Sequence, residues 1–221
     1  MKKAMKFWGT VLCIGWSPFV YAKPLFYVGF HAGGSWIRYK TTALYNIAEK
    51  RQESSSLGGI APLGGLKGGG GVFWRKYYFG LEVAASYQNL HSKAHIRPIP
   101  LVDKTLKLTL ENVGSFFFHP GIRLSERMMG YLKLGIQKTR LKVVSENHIV
   151  KQSQRSVAKT LSGMSGGLGF DHTLSPESKW AWGMEVLYTA FSKLNTTYAV
   201  DGSVKAIPHV GTFLVHIKRL F

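Results

Sequence analysis

Residues 77–90 read YYFGLEVAASYQNL, and their side chains alternate between large apolar and small or polar types. One parity carries Leu81, Val83, Ala85 and Tyr87, and the other carries Gly80, Glu82, Ala84 and Ser86. Successive side chains of a strand point to opposite faces, so a period of two predicts a β-strand. The stretch therefore predicts a strand with one apolar face and one face of small and polar residues.

The same period of two recurs along the chain, whereas the helical period is scarce. Eight runs show the alternation, namely residues 25–40, 62–74, 77–90, 105–123, 130–144, 156–172, 180–191 and 206–221. Long polar loops are predicted near residues 41–61, 89–104, 146–155 and 194–205, and short turns near 75–76, 125–128 and 173–178. Such alternating connections are typical of an up-and-down barrel, so the sequence predicts an all-β fold with eight antiparallel strands.

The composition limits both the class of protein and the kind of partner. The chain has 221 residues, with 29 Lys and Arg against 11 Asp and Glu, which gives a formal net charge of +18. This excess indicates an anionic partner, and composition alone leaves nucleic acid, phospholipid or lipopolysaccharide, and acidic glycans open. Beyond the N-terminal segment the sequence has no run of about 18 apolar residues, which excludes a bundle of transmembrane helices.

The N-terminal segment, residues 1–22, has the organisation of a secretory signal peptide. Three lysines precede an apolar stretch, and residues 20–22 (VYA) match a cleavage site. We expect export through the Sec pathway to leave residues 23–221 as a single barrel domain; the alternative is a short N-terminal membrane anchor. The single cysteine, Cys13, lies within this segment, so the exported chain is expected to have no disulfide.

The two faces of the predicted barrel differ in the size of their side chains. The alternation alone also fits a soluble barrel with an apolar interior. However, the small residues of the polar face suit the narrow interior of an eight-stranded barrel, and the many large Phe, Leu and Trp residues do not. The apolar face is therefore predicted to face lipid, with aromatic girdles formed by Trp36, Trp74, Trp180, Trp182, Tyr87 and Tyr188.

Several segments resemble those of the eight-stranded transmembrane barrels related to outer membrane proteins A and X. They are FYVGFHAGGSW (26–36), FGLEVAASY (79–87), YLKLGIQ (131–137), WGMEVLY (182–188) and the terminal Phe221. The resemblance implies a monomer in the outer membrane of a Gram-negative bacterium, inserted by periplasmic chaperones and the barrel assembly machinery. It also implies an assembly signal in the last strand, at Phe213, Val215, Ile217 and Phe221. Arg219 departs from this apolar pattern and is expected to snorkel to the interface.

Five charged residues fall on the inward parity of the predicted strands, namely Glu82, Arg123, Lys133, Glu185 and Lys67. A dry and narrow interior cannot hold an unpaired charge, so opposite signs are predicted to meet there. The resemblance likewise implies a lumenal ion-pair cluster. We interpret the cluster as a structural plug rather than a wide pore, with a proton or ion path as the alternative.

A second set of charged residues lies on the outward parity of the fifth strand. Lys138, Arg140 and Lys142 follow the apolar residues 132–136 and are predicted at the outer headgroup level. Phosphates and acidic sugars of lipopolysaccharide would neutralise them. The loops add the basic residues Lys93, Arg97, Lys104, Lys107, Lys151, Arg155 and Lys159. Adhesion to anionic host glycans and a merely solvated surface are the alternatives, and nucleic acid is not an expected partner.

Catalytic and metal-binding constellations are weak in this sequence. A lipid A deacylase needs a Ser nucleophile and a His base, for which His91 beside Ser92 and His148 near Ser153 are the nearest candidates. His91 and His95 are spaced as on a helix, but the prolines that follow disfavour one. No cofactor, no metal and no enzymatic activity are predicted.

The predicted role is structural and surface-exposed. It comprises envelope integrity, with loops that act as antigen or adhesin, since loops carry the variable function of such a fold. A small lipid A-modifying enzyme of the outer membrane is the alternative.

Overall fold

A computed structural model describes residues 23–45, 52–99, 102–147, 155–198 and 202–221. The strands are β1 (Lys23–Tyr45), β2 (Gln52–Trp74), β3 (Tyr77–Ile99), β4 (Val102–Arg123), β5 (Met128–Asn147), β6 (Arg155–Thr173), β7 (Trp180–Phe191), β8 (Leu194–Tyr198) and β9 (Gly202–Leu220). Within these ranges no helix has the length and apolar character needed to cross a membrane. The predicted signal peptide, residues 1–22 with Cys13, lies outside the described part of the chain and stays a prediction.

The strands form one closed antiparallel barrel. Each strand from β1 to β7 pairs with the next, β7 pairs with β9, and β9 pairs back with β1, from Tyr27 opposite Leu220 to Tyr45 opposite Gly202. The short strand β8 follows β7 and pairs with the same partner, β9. It therefore continues the place of β7 in the barrel wall and does not add a ninth strand to the circumference. The predicted eight-stranded up-and-down barrel is therefore confirmed.

The connections differ at the two ends of the barrel. Short turns at Arg75–Lys76, Leu124–Arg127 and Leu174–Lys179 lie at one end, which we call the turn end. The opposite end, the hairpin end, consists of long strand pairs. Arg75 has a positive φ of 57°, which the tight two-residue turn between β2 and β3 requires.

The predicted long loops are largely wrong, because strand pairing continues through most of them. β1 and β2 remain paired out to Leu44 and Gln52, and β3 and β4 out to Ile99 and Val102. These segments are rich in Ser, Thr and Lys, and their composition resembles that of a loop. Outside a membrane a hairpin can expose polar side chains while its backbone stays hydrogen-bonded, so composition alone does not distinguish the two.

A β-bulge changes the inward face of β4. Asn112 has a positive φ of 44°, and the register with β5 shifts between Glu111 and Val113. A bulge inserts one residue, so residues of the same sequence parity before and after it point to opposite faces. Leu108 and Leu110 precede the bulge and lie inside, at 1% and 0% exposure, whereas Phe116 and Phe118 follow it and lie outside, on the face predicted for this parity.

The outside of the barrel carries an apolar belt between two aromatic levels. On β3, Tyr77 and Tyr87 bracket about 11 residues, the length with which a tilted strand crosses the hydrocarbon core. All six predicted girdle residues are exposed. The belt between them consists of exposed Phe, Leu, Val, Ile and Met side chains, such as Phe30, Leu81, Leu134 and Met164. The apolar face thus points outward, as predicted.

The inside of the hairpin end has a hydrophobic core of its own. We call the following buried residues the hairpin-end core: Ile37, Tyr39, Ala61, Leu90, Leu108, Leu110, Leu141, Val143, Leu161, Phe191 and Val210. They follow the belt along their strands in the direction of the long hairpins. The barrel interior beyond the belt is therefore apolar at these positions.

Candidate functional site

Four charged side chains meet inside the belt section of the barrel. Lys67 on β2, Glu82 on β3, Lys133 on β5 and Glu185 on β7 are all at most 4% exposed, and we call them the charge quartet. The Lys67 ammonium lies 2.7 Å from Glu185 and 3.6 Å from Glu82. The Lys133 ammonium lies 2.7 Å from Glu185 and 2.6 Å from Glu82. Each lysine thus contacts both carboxylates, in the predicted lumenal position.

Two tyrosines add hydrogen bonds to the carboxylates of the quartet. The Tyr27 hydroxyl donates to Glu82 over 2.7 Å, and the Tyr131 hydroxyl donates to Glu185 over 2.8 Å. Burying a charge is less costly where hydrogen bonds replace those lost to water, and each phenol supplies one across the lumen from a strand two positions away in the sheet.

A second ionic group lies on the turn-end side of the quartet. Asp171 on β6 accepts a hydrogen bond from Lys218 and lies 2.7 Å from His216 Nε2. The other ring nitrogen of His216 lies 3.6 Å from Glu185, which connects this group to the quartet. Asp171, His216 and Lys218 were not among the five charged residues predicted for the lumen. The signal was present, because Asp171 continues the inward parity of residues 163–169.

The buried charges compensate one another in number. Among the residues whose burial is described, three lysines and three carboxylates are buried, namely Lys67, Lys133, Lys218, Glu82, Asp171 and Glu185. Three histidines, His31, His119 and His216, lie among them. A balanced set avoids an uncompensated charge among buried side chains.

Glycines make room for these large polar side chains. A Cβ atom on Gly169 would lie 2.6 Å from the Tyr131 ring, and one on Gly183 would lie 2.6 Å from His216 Nε2. Both distances are shorter than a side chain tolerates. The small residues of the inward face therefore leave the space that the ionic groups occupy.

The lumen is filled on the hairpin side of the quartet. Leu63, Phe117, Leu187 and Leu214 form a small buried apolar cluster there. A cavity of about 30 Å³ between these layers is lined by Ser35, Gln88 and Thr212 among others. That volume corresponds to about one water molecule. The hairpin-end core follows, so the interior is organised as a stack of packed layers.

Arg123 does not join the quartet, contrary to the prediction. Its side chain is exposed at the turn end, where its guanidinium lies 4.5 Å from the Phe73 ring centroid. There it lines an open cavity of about 190 Å³ whose inner wall includes Asp171 and Lys218. Strand parity predicts which side of the wall Arg123 takes but not its position along the barrel axis. Arg123 is the last residue of β4 and lies too near the mouth of the barrel to reach the quartet.

The three outward basic residues of β5 form a continuous row, which we call the basic strip. Lys138, Arg140 and Lys142 are all exposed. Their partners across β6 are the exposed residues Ser162, Thr160 and Ala158. Ile136, directly before the strip, still belongs to the apolar belt. The strip is thus accessible and starts where the belt ends.

Those candidate catalytic and metal-binding residues that the structure describes do not converge. The His91 side chain is exposed and lies 2.9 Å from the Thr109 hydroxyl, whereas Ser92 is buried and donates to the carbonyl of Gly58. A Ser–His pair of 2.7 Å joins His31 and Ser86, but it lines the small cavity inside the lumen. His148, Ser153 and the side chain of His95 lie outside the described residues. Across the ranges that are described, no three metal-ligating side chains cluster.

The residues of the predicted assembly signal lie on the outside of β9 and just after it. Phe213, Val215, Ile217 and Phe221 are exposed, and the Phe221 amide donates to the carbonyl of Phe26 over 2.9 Å. The guanidinium of Arg219 lies 5.4 Å from the Phe221 ring centroid. Recognition of this strand during assembly stays a prediction.

The basic loop residues are only partly described. The side chains of Lys93, Arg97, Lys104 and Arg155, and all of Lys151, lie outside the described part of the chain. Lys159 is exposed, and Lys107 is half-buried and has a partner. Their predicted role as a surface for anionic partners stays a prediction.

Comparison with known proteins supports the architecture. No family model and no curated protein matches the sequence. The outer membrane protein OprG from Pseudomonas aeruginosa is 14% identical, with a TM-score of 0.55 over 90% of this chain and 97% of that one. The outer membrane protease OmpT from Escherichia coli is 7% identical, with a TM-score of 0.54 over 89% and 97% of the two chains.

A third solved structure is less similar in shape. The attachment invasion locus protein Ail of Yersinia pestis, in complex with the heparin analogue sucrose octasulfate, is 14% identical, with a TM-score of 0.41 over 89% and 99% of the two chains. At these identities a structural likeness shows the fold alone, and OprG and OmpT carry it. Together with the apolar belt, they show that the chain has the fold of a Gram-negative outer-membrane β-barrel.

Proposed function

We propose that this protein is an integral outer-membrane β-barrel with a structural and surface role and a closed lumen. The observation that carries the proposal is the packed interior, where the compensated charge quartet lies below two apolar layers. A barrel designed for conduction would need a continuous water-filled path, and the one cavity described beside the quartet has room for about one water.

A planar-bilayer recording tests the closed lumen. We expect the purified protein to give no steady conductance above background, both as the wild type and as the exposed-turn variant Glu126→Gln. The conductance of the variant Glu185→Gln, in which the quartet has lost one of its two negative charges, is recorded for comparison. Steady openings of nanosiemens size in the wild type would contradict the plug and support an ion path.

The orientation follows from the lengths of the connections. Outer-membrane barrels keep short turns on the periplasmic side and long hairpins outside. We therefore assign the turn end to the periplasm and the hairpin end, with its own core, to the cell surface. A packed core beyond the membrane would hold the loops at a fixed height, which supports display as an antigen or adhesin.

The basic strip supports contact with lipopolysaccharide. Lys138, Arg140 and Lys142 lie on the lipid-facing side at the outer end of the belt, where lipid A phosphates are found. Ammonium and guanidinium groups form charge-assisted hydrogen bonds with phosphate. The small side chains opposite them on β6 leave space for a bulky headgroup.

A matched pair of triple variants tests this contact. After mild detergent extraction, we expect the amount of lipopolysaccharide bound per barrel to be at least about twofold lower for K138Q/R140Q/K142Q than for the wild type. The reason is that each cation near an anionic surface contributes about 1 kcal/mol to binding. The control R75Q/K76Q/R219Q removes the same charge at the turn end and should leave the ratio unchanged. Equal retention in wild type and strip variant would contradict the proposed contact.

A further inference from the structure

Basic residues lie beside aromatic residues along part of the turn end. Trp74, Arg75, Lys76 and Tyr77 are consecutive in the turn between β2 and β3, and all four are exposed. Arg219 and Phe221 form a similar pair at the end of β9. We call these six residues, together with Trp180, the turn-end collar.

Each cation of the collar lies against an aromatic ring. The Arg75 guanidinium is 6.0 Å from the centroid of Trp74, and the Lys76 ammonium is 5.6 Å from that of Tyr77. Arg219 is 5.4 Å from the Phe221 centroid. Contact with the negative face of a ring holds a cation without neutralising it, so the charge stays available to a ligand.

The collar occupies one continuous side of the barrel. β7, β9, β1, β2 and β3 are consecutive neighbours in the sheet. Trp180 is the register partner of Arg219, and the Phe221 amide binds the Phe26 carbonyl on β1. These contacts connect the β9 part of the collar to the strands on both of its sides.

Acidic residues lie elsewhere at this end. In the described turns, the exposed carboxylates are Glu126, between β4 and β5, and Glu177, between β6 and β7. Neither belongs to the turn between β2 and β3 or to the end of β9. The side chains of the collar therefore carry three positive charges and no negative charge at the level of the aromatic girdle, and Glu177 lies in the turn that leads to Trp180.

The collar and the basic strip differ in their chemistry. The strip is flanked by Ser, Thr and Ala on β6, whereas the collar combines each cation with a large ring. Trp and Tyr favour the region between acyl chains and headgroups, and a cation held at that depth meets phosphate directly. A zwitterionic headgroup would bring its own ammonium to this sector, which an anionic headgroup does not.

We infer that the turn-end collar is a binding surface for anionic glycerophospholipids of the leaflet that the turn end faces. The inference rests on the proposed membrane insertion and orientation of the barrel. It names a second lipid partner, separate from lipopolysaccharide in both position and chemistry. In the native membrane the collar selects this lipid from the periplasmic leaflet.

Site-resolved quenching by brominated lipids tests the inference. The full chain is folded into phosphatidylcholine vesicles with Trp74 as its single tryptophan, every other tryptophan being replaced by Phe. A fixed small fraction of lipid is then dibrominated phosphatidylglycerol or dibrominated phosphatidylcholine. We expect phosphatidylglycerol to quench Trp74 at least about twofold more, as a few favourable cation contacts imply.

Two controls locate the effect. In R75Q/K76Q/R219Q the ratio of the two quenching efficiencies at Trp74 should fall to about one. A chain with Trp36 as its single tryptophan reports the hairpin end on the same side of the barrel, and its ratio should not change with the collar substitutions. A heat-shift gel verifies that each variant is folded.

The outcomes separate this inference from the proposed function. Absence of quenching by either lipid would show that the chain is not inserted, which overturns the proposed function. Normal quenching with equal efficiencies for both lipids at Trp74 would leave the barrel intact and overturn the collar. A surface made for an acidic periplasmic protein would also give equal efficiencies.

Discussion

The belt section and the hairpin end of this barrel are opposite in polarity although the same strands build both. On β5, Leu134 and Ile136 point outward and Lys133 points inward. A few residues later Arg140 points outward and Leu141 is fully buried. Side chains alternate between the inside and the outside of the barrel along this strand without interruption. What changes is which of the two faces carries the apolar side chains.

The medium outside the wall explains the inversion. Where water surrounds the barrel, burying apolar side chains inside is favourable, and the hairpin end resembles a soluble protein. Where lipid surrounds it, apolar side chains are removed from water on the outside, and the narrow interior is free to hold paired charges. The position of the hairpin-end core therefore indicates where the membrane ends along the barrel.

The largest effect is expected from unbalancing the belt interior. Glu185→Gln removes one of the two carboxylates that Lys67 and Lys133 share, and should lower the free energy of unfolding by about 3–5 kcal/mol. Urea titration in vesicles measures it. Glu177→Gln, in an exposed turn, is the control and should change it by less than about 0.5 kcal/mol. A small loss at position 185 would mean that the quartet is solvated.

The hairpin-end core should respond as a soluble core does. Leu141→Ala removes a fully buried side chain and should cost about 2–5 kcal/mol, because a cavity adds to the lost transfer energy. Leu134→Ala on the same strand should cost about 2 kcal/mol at most, since lipid fills the space it leaves. The same urea titration measures both. Equal costs would argue against a packed core beyond the belt.

The outer surfaces of the two sections can be compared with one substitution. Leu134→Arg places a charge in the belt and should cost about 2–4 kcal/mol. Thr160→Arg places the same charge on the outside of the hairpin end and should cost about 0.5 kcal/mol or less. If both variants unfolded at the same urea concentration, the boundary between the sections would be misplaced.

The smallest effect is expected at the mouth. Arg123→Gln removes a cation that contacts only one ring in an open cavity, and should cost about 0.5–1 kcal/mol. Lys133→Gln, which breaks two ion pairs in the quartet, is the comparison and should cost several-fold more. Comparable losses in the unfolding titration would place Arg123 within the ionic network after all.

Much of the wall was predictable from the alternation alone. The parity of residues 77–90 places Glu82 inside and Leu81 outside, and the structure agrees. The errors arise where a local rule does not apply. Because of the bulge at Asn112, Leu108 and Leu110 lie on the opposite face from Phe116 and Phe118, and a bulge has no reliable signal in side-chain pattern. The hairpins were predicted as loops because polar strands resemble loops in composition.

The sequence by itself determined which side of the wall most side chains take, because parity repeats every two residues and is local. Only the tertiary structure decided the depth of each residue and its partners. It brought Glu82 and Glu185 to the same two lysines, added Asp171 beside Lys218 and left Arg123 at the mouth. Depth depends on how tilted strands are staggered when the sheet closes, and closure is a property of all strands together.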